Sequence, residues 1–128
     1  MNKKSYSEIL DHEMSGMTFA AASRFTLQDN VVTGNNRLNG GSDGGAGIQL
    51  DGGSELLMTR NSITGNFKNG LLAAASGTRA VLLDGNVISG IFGFGAGAYQ
   101  GAVIECRGIN TLSGNSAGNK AGNVTGCP

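Results

Sequence analysis

The sequence predicts an all-β fold, a parallel solenoid of four to five stacked coils of about 24 residues each. A short motif recurs four times, as NVVTGN from residue 30, NSITGN from 61, NVISGI from 86 and NTLSGN from 110. The motif asparagines are 31, 25 and 24 residues apart, which is the period of a solenoid. Strand-like apolar runs accompany the motifs, so the coils are predicted to bury a core only by stacking on one another.

Two kinds of strand-like run recur along the chain. One kind precedes the motif: RFTLQD at 24–29, ELLMTR at 55–60 and AVLLDG at 80–85. The other begins with glycine: GMTF at 16–19, GIQL at 47–50 and GLLA at 70–73. Both are of strand length and rich in aliphatic residues. Each coil is therefore predicted to consist of a strand, a turn, a second strand and a second turn.

The apolar positions of the repeat predict the core. Stacking in register places residues at equal offsets from the motif asparagine about 4.8 Å apart. Three offsets are apolar in successive coils, with the members Phe25, Leu56 and Val81; Leu27, Met58 and Leu83; and Val32, Ile63, Ile88 and Leu112. In the coil of Asn110, Glu105 and Arg107 fall at the first two offsets, which predicts a slip of one or two residues there.

The polar positions of the motif predict the corners of the coils. A column formed by Asn30, Asn61, Asn86 and Asn110 can make a ladder of side-chain amides, because asparagine tolerates turn conformations. The motif glycines are predicted to supply positive φ at the next corner. The Thr and Ser residues before those glycines are predicted to bond local backbone. An ordered ice-binding array is the alternative interpretation of this hydroxyl column.

These motifs resemble those of the right-handed parallel β-helix repeat family, the fold of pectate lyases, many polysaccharide-active enzymes and phage tailspikes. The resemblance rests on the four motifs and on GGAGIQL and NGLLA between them, and it covers residues 16–119. It implies a short, divergent right-handed parallel β-helix. It says little about function, since unrelated chemistries share this scaffold. Such relatives suggest a secreted or cell-surface location, whereas the location of this chain stays unknown because no signal peptide is visible in it.

Cys106 and Cys127 are compatible with a disulfide or with two free thiols, because their spacing matches no zinc site. The segment SGNSAGNKAGNVTGCP resembles the tail of secreted bacterial β-helix proteins, in which a terminal cysteine is common. That resemblance favours a disulfide between Cys106 and Cys127.

The ends of a solenoid expose core and strand edges unless something covers them. Residues 1–15 are predicted as an N-terminal capping segment, because Ser5 and Glu8 have capping-box spacing, which favours a short helix over 5–14. Residues 16–119 are predicted as the β-helix, and 120–128 as a small, polar C-terminal tail. A homo-oligomer, most simply a dimer, would cover the other end. The alternative is that the chain is a piece of a longer solenoid.

Charge and composition exclude several partners. Nine Lys and Arg residues against nine Asp and Glu give a formal net charge of zero, so no net field draws the chain to nucleic acid. No apolar run is long enough for a membrane span. His12 is the single histidine, so neither a metal nor another cofactor is predicted.

Outward-facing charges provide the candidate binding site. Stacking is expected to place two sets of residues on one side of the solenoid: Asp29, Arg60 and Asp84, and one strand-width earlier Arg24, Glu55 and Arg79. Such rows can bond sugar hydroxyls, and a solvated ladder of salt bridges is the alternative. Separately, the segment GIFGFGAGAYQG at 90–101 places Phe92, Phe94 and Tyr99 in a glycine-rich turn, which is predicted to be an oligomer contact.

The motifs on which pectate lyases and polygalacturonases depend are missing from the sequence. The primary hypothesis is therefore a non-catalytic β-helix module for binding or self-assembly, with a glycan or a protein as partner. The alternative is a small polysaccharide lyase or hydrolase that uses Asp29, Asp84 and Arg60 on the lateral face of the β-helix.

Overall fold

The computed structural model describes residues 2–5, 7–20, 22–38 and 45–128, with side chains from residue 7 onward. Within these ranges the chain forms sixteen strands and no helix. Successive strands enter three parallel sheets in turn, so that each coil contributes one strand to each sheet. The predicted all-β parallel solenoid is confirmed, with five coils of three strands and one further strand.

The three sheets form the sides of the solenoid. Sheet A contains β1 (Asn2–Ser5), β4 (Arg24–Gln28), β7 (Glu55–Thr59), β10 (Arg79–Leu82), β13 (Val103–Cys106) and β16 (Val124–Thr125). Sheet B contains β2 (Glu8–Leu10), β5 (Val31–Thr33), β8 (Ser62–Thr64), β11 (Val87–Ser89) and β14 (Thr111–Ser113). Sheet C contains β3 (Met17–Phe19), β6 (Ile48–Leu50), β9 (Phe67–Ala74), β12 (Phe92–Tyr99) and β15 (Gly118–Gly122). The expected two strands per coil become three, because the repeated motif itself forms sheet B.

Side chains that point into the solenoid stack in columns and form one core. The predicted column on sheet B is correct, with register partners Val32, Ile63, Ile88 and Leu112. On sheet A, Phe25 pairs with Leu56 and Leu27 with Met58, also as predicted. Sheet C supplies the remaining side of the core, through residues such as Ile48 and Leu71.

The coil of Asn86 departs from the predicted columns. Ala80 and Leu82 are the inward residues of strand β10, whereas the prediction placed Val81 and Leu83 there. The cause is one additional residue at the corner, since Leu83, Asp84 and Gly85 separate Leu82 from the asparagine. Only two residues occupy that corner in the preceding coil.

The slip predicted for the coil of Asn110 therefore occurs one coil earlier. Strands β10 and β13 are in register, with Ala80 opposite Ile104 and Leu82 opposite Cys106. Both coils have three residues between the last inward residue of sheet A and the motif asparagine. The two longer corners stack on each other without a bulge between them.

The motif asparagines form a continuous buried ladder, as predicted. Asn30 donates from Nδ2 to Oδ1 of Asn61 at 3.0 Å, and Asn61 donates in the same way to Asn86 at 3.0 Å. Asn86 donates to Asn110 at 2.9 Å, and each accepting Oδ1 also receives the backbone N–H of the donor residue. All four asparagines are at most 8% exposed. Because a buried amide is costly without partners, the ladder fixes the register of successive coils.

A second asparagine column follows sheet B. Nδ2 of Asn35 donates to Oδ1 of Asn66 at 3.1 Å. In the next coil Ile91 occupies the equivalent position, is 1% exposed, and donates its backbone N–H to Oδ1 of Asn115 at 3.0 Å. An apolar side chain thus replaces one rung of this ladder while the backbone bond is kept.

Equivalent glycines of successive coils, just before or within the sheet C strands, leave space for inward side chains of the second column and of sheet B. A Cβ on Gly47 would lie 2.7 Å from the side chain of Asn66, and a Cβ on Gly95 would lie 2.6 Å from Nδ2 of Asn115. A Cβ on Gly70 would meet Cγ2 of Ile88 at 2.7 Å. These glycines are required by close approach to inward side chains.

The predicted capping helix over residues 5–14 is wrong in the described part of that segment. Strand β1 pairs with β4, and strand β2 pairs with β5, so the segment adds a further coil. Residues 1 and 6 lie outside the described residues. Parallel pairing satisfies the backbone groups along the edges of β4 and β5, which a helix lying across them could not do. Strands β15 and β16 likewise extend sheets C and A into the segment expected to be a tail.

Asn61→Ala is expected to lower the free energy of unfolding by about 3 kcal/mol, because two buried donors of Asn30 lose their acceptor. The midpoint of urea unfolding measures this change. Ser62→Ala is the control, since Ser62 is the next residue and its side chain points away from the core. Equal effects from the two variants would contradict the role assigned to the ladder.

Candidate functional site

The charged residues at the corner between sheets A and B form an ion pair. Nε and one terminal nitrogen of Arg60 donate to the two carboxylate oxygens of Asp29 at 2.7 and 3.0 Å. Both residues have positive φ, 59° for Asp29 and 52° for Arg60, which turns the chain at equivalent positions of successive coils. The hydrogen bond and the charge of Asp29 raise the pKa of Arg60 above its ordinary value. The Arg60 guanidinium therefore stays charged and bonded to Asp29.

Asp84, the third member of this predicted set, has a different role. Its Oδ1 accepts the backbone N–H of Ile109 at 2.8 Å, and its backbone C=O accepts the N–H of Arg60 at 3.0 Å. The carboxylate thus closes the corner of the next coil. The backbone of Asp84 contacts the coil of Arg60, whereas its side chain contacts the coil on the other side, at Ile109.

The outward charges of sheet A are also paired. Arg24 and Glu55 are register partners and form a salt bridge of 2.9 Å. Arg79 is in register with Glu55, yet its salt bridge is to Glu105 at 2.7 Å. Arg107 bonds the same carboxylate at 3.1 Å. Sequence reasoning missed Glu105 because it assigned that position to an inward column.

The pKa of Glu105 lies below its ordinary value, chiefly because of hydrogen bonds from Arg107 and Arg79. The carboxylate is therefore ionised over a wider range of pH than a free glutamate. Five of the six residues in the predicted charged rows, all except Asp84, form salt bridges between coils. Exposed bridges of this kind contribute little to stability.

On strands β5, β8, β11 and β14, the outward side of sheet B carries two columns of small uncharged side chains, which we call the lateral face. The members of the lateral face alternate with the buried residues of the motif and are Val31, Ser62, Val87 and Thr111 in one column, and Thr33, Thr64, Ser89 and Ser113 in the other. On the fifth strand of the sheet, β2, Glu8 and Leu10 continue the two columns. Oγ1 of Thr64 donates to Oγ1 of Thr33 in the adjacent coil at 3.3 Å. This bond runs between coils, whereas a bond to local backbone was expected. The four hydroxyl residues belong to strands of sheet B, and their spacing is therefore that of paired strands and not of a turn.

Two stacked phenylalanines border the lateral face. The ring centroids of Phe67 and Phe92 are 4.7 Å apart, with planes inclined by 22°. Phe92 is 59% exposed, while Phe67 is half-buried. Both follow the motif asparagine by six residues, so their stacking could have been found from the sequence by the offset that identified the core.

The predicted aromatic turn at residues 90–101 is largely a strand. Phe92, Phe94 and Tyr99 belong to β12, which pairs with β9 along its length. Phe94 and Tyr99 are half-buried, and the Tyr99 ring covers Gly97, where a Cβ would lie 2.9 Å from the ring. Of the three residues, only Phe92 presents a largely exposed ring. Pairing with β9 holds this segment extended despite its glycines.

The two cysteines form a disulfide between strand β13 and the segment after β16. Both sulfur-bearing residues belong to the core and are at most 8% exposed. The C=O of Cys127 also accepts a hydrogen bond from Nζ of Lys120 at 3.0 Å.

In the part of the chain that the structure describes, His, Cys, Asp and Glu residues do not gather in groups of three that could hold a metal. The backbone N–H of His12 donates to Oδ1 of Asn35 at 3.1 Å, and the residue is exposed. Among the same residues there is no helix that could cross a membrane.

The architecture defines this molecule as a β-helix module, in which short parallel strands stack on asparagine ladders. A family model described as a right-handed β-helix region matches residues 5–125. The chain belongs to this right-handed β-helix family. Comparison with curated proteins and with solved structures gave no significant match.

The pH dependence of stability is expected to reflect Glu105. Its folded pKa is lower than its unfolded pKa, so its contribution is present above the unfolded value and is lost as pH falls through the folded value. Glu105→Gln is expected to lower the unfolding temperature slightly at pH 7 and to leave it unchanged at pH 2. Thermal unfolding at both pH values checks this, with Glu13→Gln as control. A loss of the same size at both pH values would show that ionisation of Glu105 is not the cause.

Proposed function

We propose that the protein is a non-catalytic binding module that holds a neutral glycan chain along its lateral face. The observation that carries this proposal is the combination of two uncharged columns on sheet B with the exposed Phe92–Phe67 stack beside them. Ligand sites of this kind combine an apolar or aromatic surface with a few placed polar groups. Here the polar groups are hydroxyls that can both donate and accept.

The dimensions of the lateral face favour a narrow, extended ligand. Four strands at about 4.8 Å spacing and three residues at about 3.3 Å give a surface of roughly 20 by 10 Å. A stable protein partner needs about 800 Å² on each side, several times this area. An extended sugar chain that runs along the solenoid axis would meet the same hydroxyl column in four successive coils.

The charges of the molecule favour an uncharged ligand. The eight positions of the lateral face contain no Lys, Arg, Asp or Glu, and the charged residue in register with them is Glu8 of strand β2, next to Val31 at one end of a column. The charged pairs Arg60–Asp29 and Arg24–Glu55 lie on sheet A and its corner, where the partners neutralise each other. An acidic polysaccharide would need cations along its path to offset the loss of hydration of its carboxylates. A neutral chain has no such requirement.

The geometry does not favour the alternative of a lyase or hydrolase. A general base must be within reach of the proton that it takes from the substrate. Asp29 is bonded at both oxygens by Arg60, and Asp84 holds the corner at Ile109. Using either carboxylate in catalysis would break the contact that positions it.

Self-association is a second candidate, supported by one observation. Among the large hydrophobic side chains that are exposed in the described part of the chain, Phe92 is the aromatic one, at 59%. An exposed ring beside an uncharged surface is typical of protein contacts as well as of sugar sites. A weak dimer in which the aromatic stacks of two copies meet would cover this ring.

Glycan binding is tested by electrophoresis through gels that contain one neutral polysaccharide each, with pectate as an acidic comparison. Retardation by at least one neutral polysaccharide is expected. Phe92→Ser is expected to weaken it about tenfold through loss of the stacking surface, and Thr64→Arg is expected to abolish it by obstructing the centre of the face.

Two variants serve as matched controls for that experiment. Ile109→Ser removes a side chain that is 85% exposed at another corner, and Thr59→Arg places the same bulk on the outward side of sheet A. Both should bind like the wild type. Equal losses in variants and controls, or no retardation in any neutral gel, would refute the proposal. Release of reducing or unsaturated sugar ends would instead support the enzyme.

Self-association is tested by light scattering on a sizing column over a series of concentrations. If the Phe92 stack forms a contact, the apparent mass should rise with concentration in the wild type and in Ile109→Ser, and should stay at 12.9 kDa in Phe92→Ser. A mass of 12.9 kDa at every concentration would remove this candidate and leave the glycan proposal unaffected.

A further inference from the structure

We propose that the disulfide between Cys106 and Cys127 is a redox latch. It holds residues 118–127, which we call the latch segment, against strand β13 and the core residues of that strand. Reduction would open this segment locally while the other coils stay folded. The proposal concerns a different part of the molecule from the lateral face and does not depend on the glycan.

The latch segment makes few apolar contacts with the core. Strand β16 pairs with β13 at only two positions, Val124 with Ile104 and Thr125 with Glu105. Strand β15 pairs with β12 at four positions. Val124 and Cys127 are the residues of the segment that pack on the core. The rest is small or polar, so little apolar burial opposes the chain entropy gained on opening.

The latch segment covers residues that would otherwise face water. Ile104 is fully buried and Cys106 is 8% exposed, and both point into the core from strand β13. The backbone N–H of Ile104 donates to the C=O of Asn123 at 3.1 Å, and the N–H of Asn123 donates to the C=O of Ala98 at 3.0 Å. These two amides report directly on whether the segment is closed.

The redox step requires a dithiol reductant. A thiolate of the reductant attacks one sulfur, the bond between Cys106 and Cys127 breaks, and a mixed disulfide forms. The second thiol of the reductant then releases the protein thiol, so two electrons and two protons end on the two cysteines. Because both sulfurs are buried, the reductant reaches them only when the segment opens transiently.

Reduction should greatly increase the open population. A cross-link between residues 21 apart restricts the open chain, and its loss favours the open form on the order of 100-fold in the chain-entropy model. The open state would turn β13 into an exposed edge strand with Ile104 uncovered. Such an edge pairs readily with other strands, so the latch would control access to a strand-pairing site.

The test is native-state hydrogen exchange with and without dithiothreitol. The amides of Ile104 and Asn123 are expected to exchange about 100-fold faster after reduction. The amides of Ser62 and Val87, which donate to Asn30 and Asn61 in the middle of the solenoid, should be unchanged. Unchanged exchange at Ile104 and Asn123 would overturn the latch. Equal acceleration at all four amides would also overturn it, because the disulfide would then stabilise the whole molecule.

A double variant separates the bond from side effects of the reductant. Cys106→Ala with Cys127→Ala should show the fast exchange of the reduced protein at Ile104 and Asn123, and dithiothreitol should change nothing further. If the double variant fails to fold, alkylation of the wild type gives a second measurement. With iodoacetamide present, both cysteines should be modified once reduced, and the opening equilibrium calculated from the alkylation rate should equal the one calculated from exchange at Asn123. Modification only at the rate of global unfolding would overturn the proposal.

Discussion

The pairing of buried amides along the asparagine columns is the constraint on which the rest of the structure depends. Each asparagine between the ends of the first ladder donates to the coil on one side and accepts from the coil on the other, so no coil can slip without leaving a buried polar group unpaired. The fixed register carries over to the outward side. It is the reason that Arg24 meets Glu55 and that Thr64 meets Thr33.

Much of the solenoid could be predicted because its register is tied to one residue type. Counting from Asn61 gave the inward positions of sheet A correctly in two coils, and the inward column of Ile63 in the four coils that contain the motif. The failure at Ala80 and Leu82 has a specific cause. The run from 80 to 83 is apolar at every position, so its pattern does not reveal which alternate residues face inward. One additional residue at the corner makes Ala80 and Leu82 the inward pair, in place of Val81 and Leu83.

The N-terminal segment shows the limit of local signals. The spacing of Ser5 and Glu8 is that of a capping box, yet the pairing of β2 with β5 determines the conformation. Exposed edges of a parallel sheet provide more bonding groups than one helical cap can satisfy. A short segment beside such an edge therefore pairs with it as a strand. Sequence rules for helix ends consider only local residues and do not include the adjacent strand.

Sequence patterns indicated the charged corner of Asp29 and Arg60 but not the uncharged lateral face. Charged residues attract attention in a sequence, and stacking did bring Asp29 to Arg60, but as partners that neutralise each other. The lateral face consists of residues that are individually ordinary and become a surface only through repetition. The conspicuous residue beside it in the sequence is Phe92, and the stack of Phe92 on Phe67 follows from their common offset.

The two proposed properties of this molecule are separable because a solenoid couples mainly neighbouring coils. The lateral face is centred on Thr64 and Ser89, whose coils are covered on both sides by others with complete apolar columns. The latch segment contributes few core side chains and depends on a covalent bond to stay in place. Local stability should therefore fall toward that end of the stack. Opening there would leave the asparagine ladder from Asn30 to Asn86 intact, and with it the spacing of the hydroxyl columns at the centre of the face.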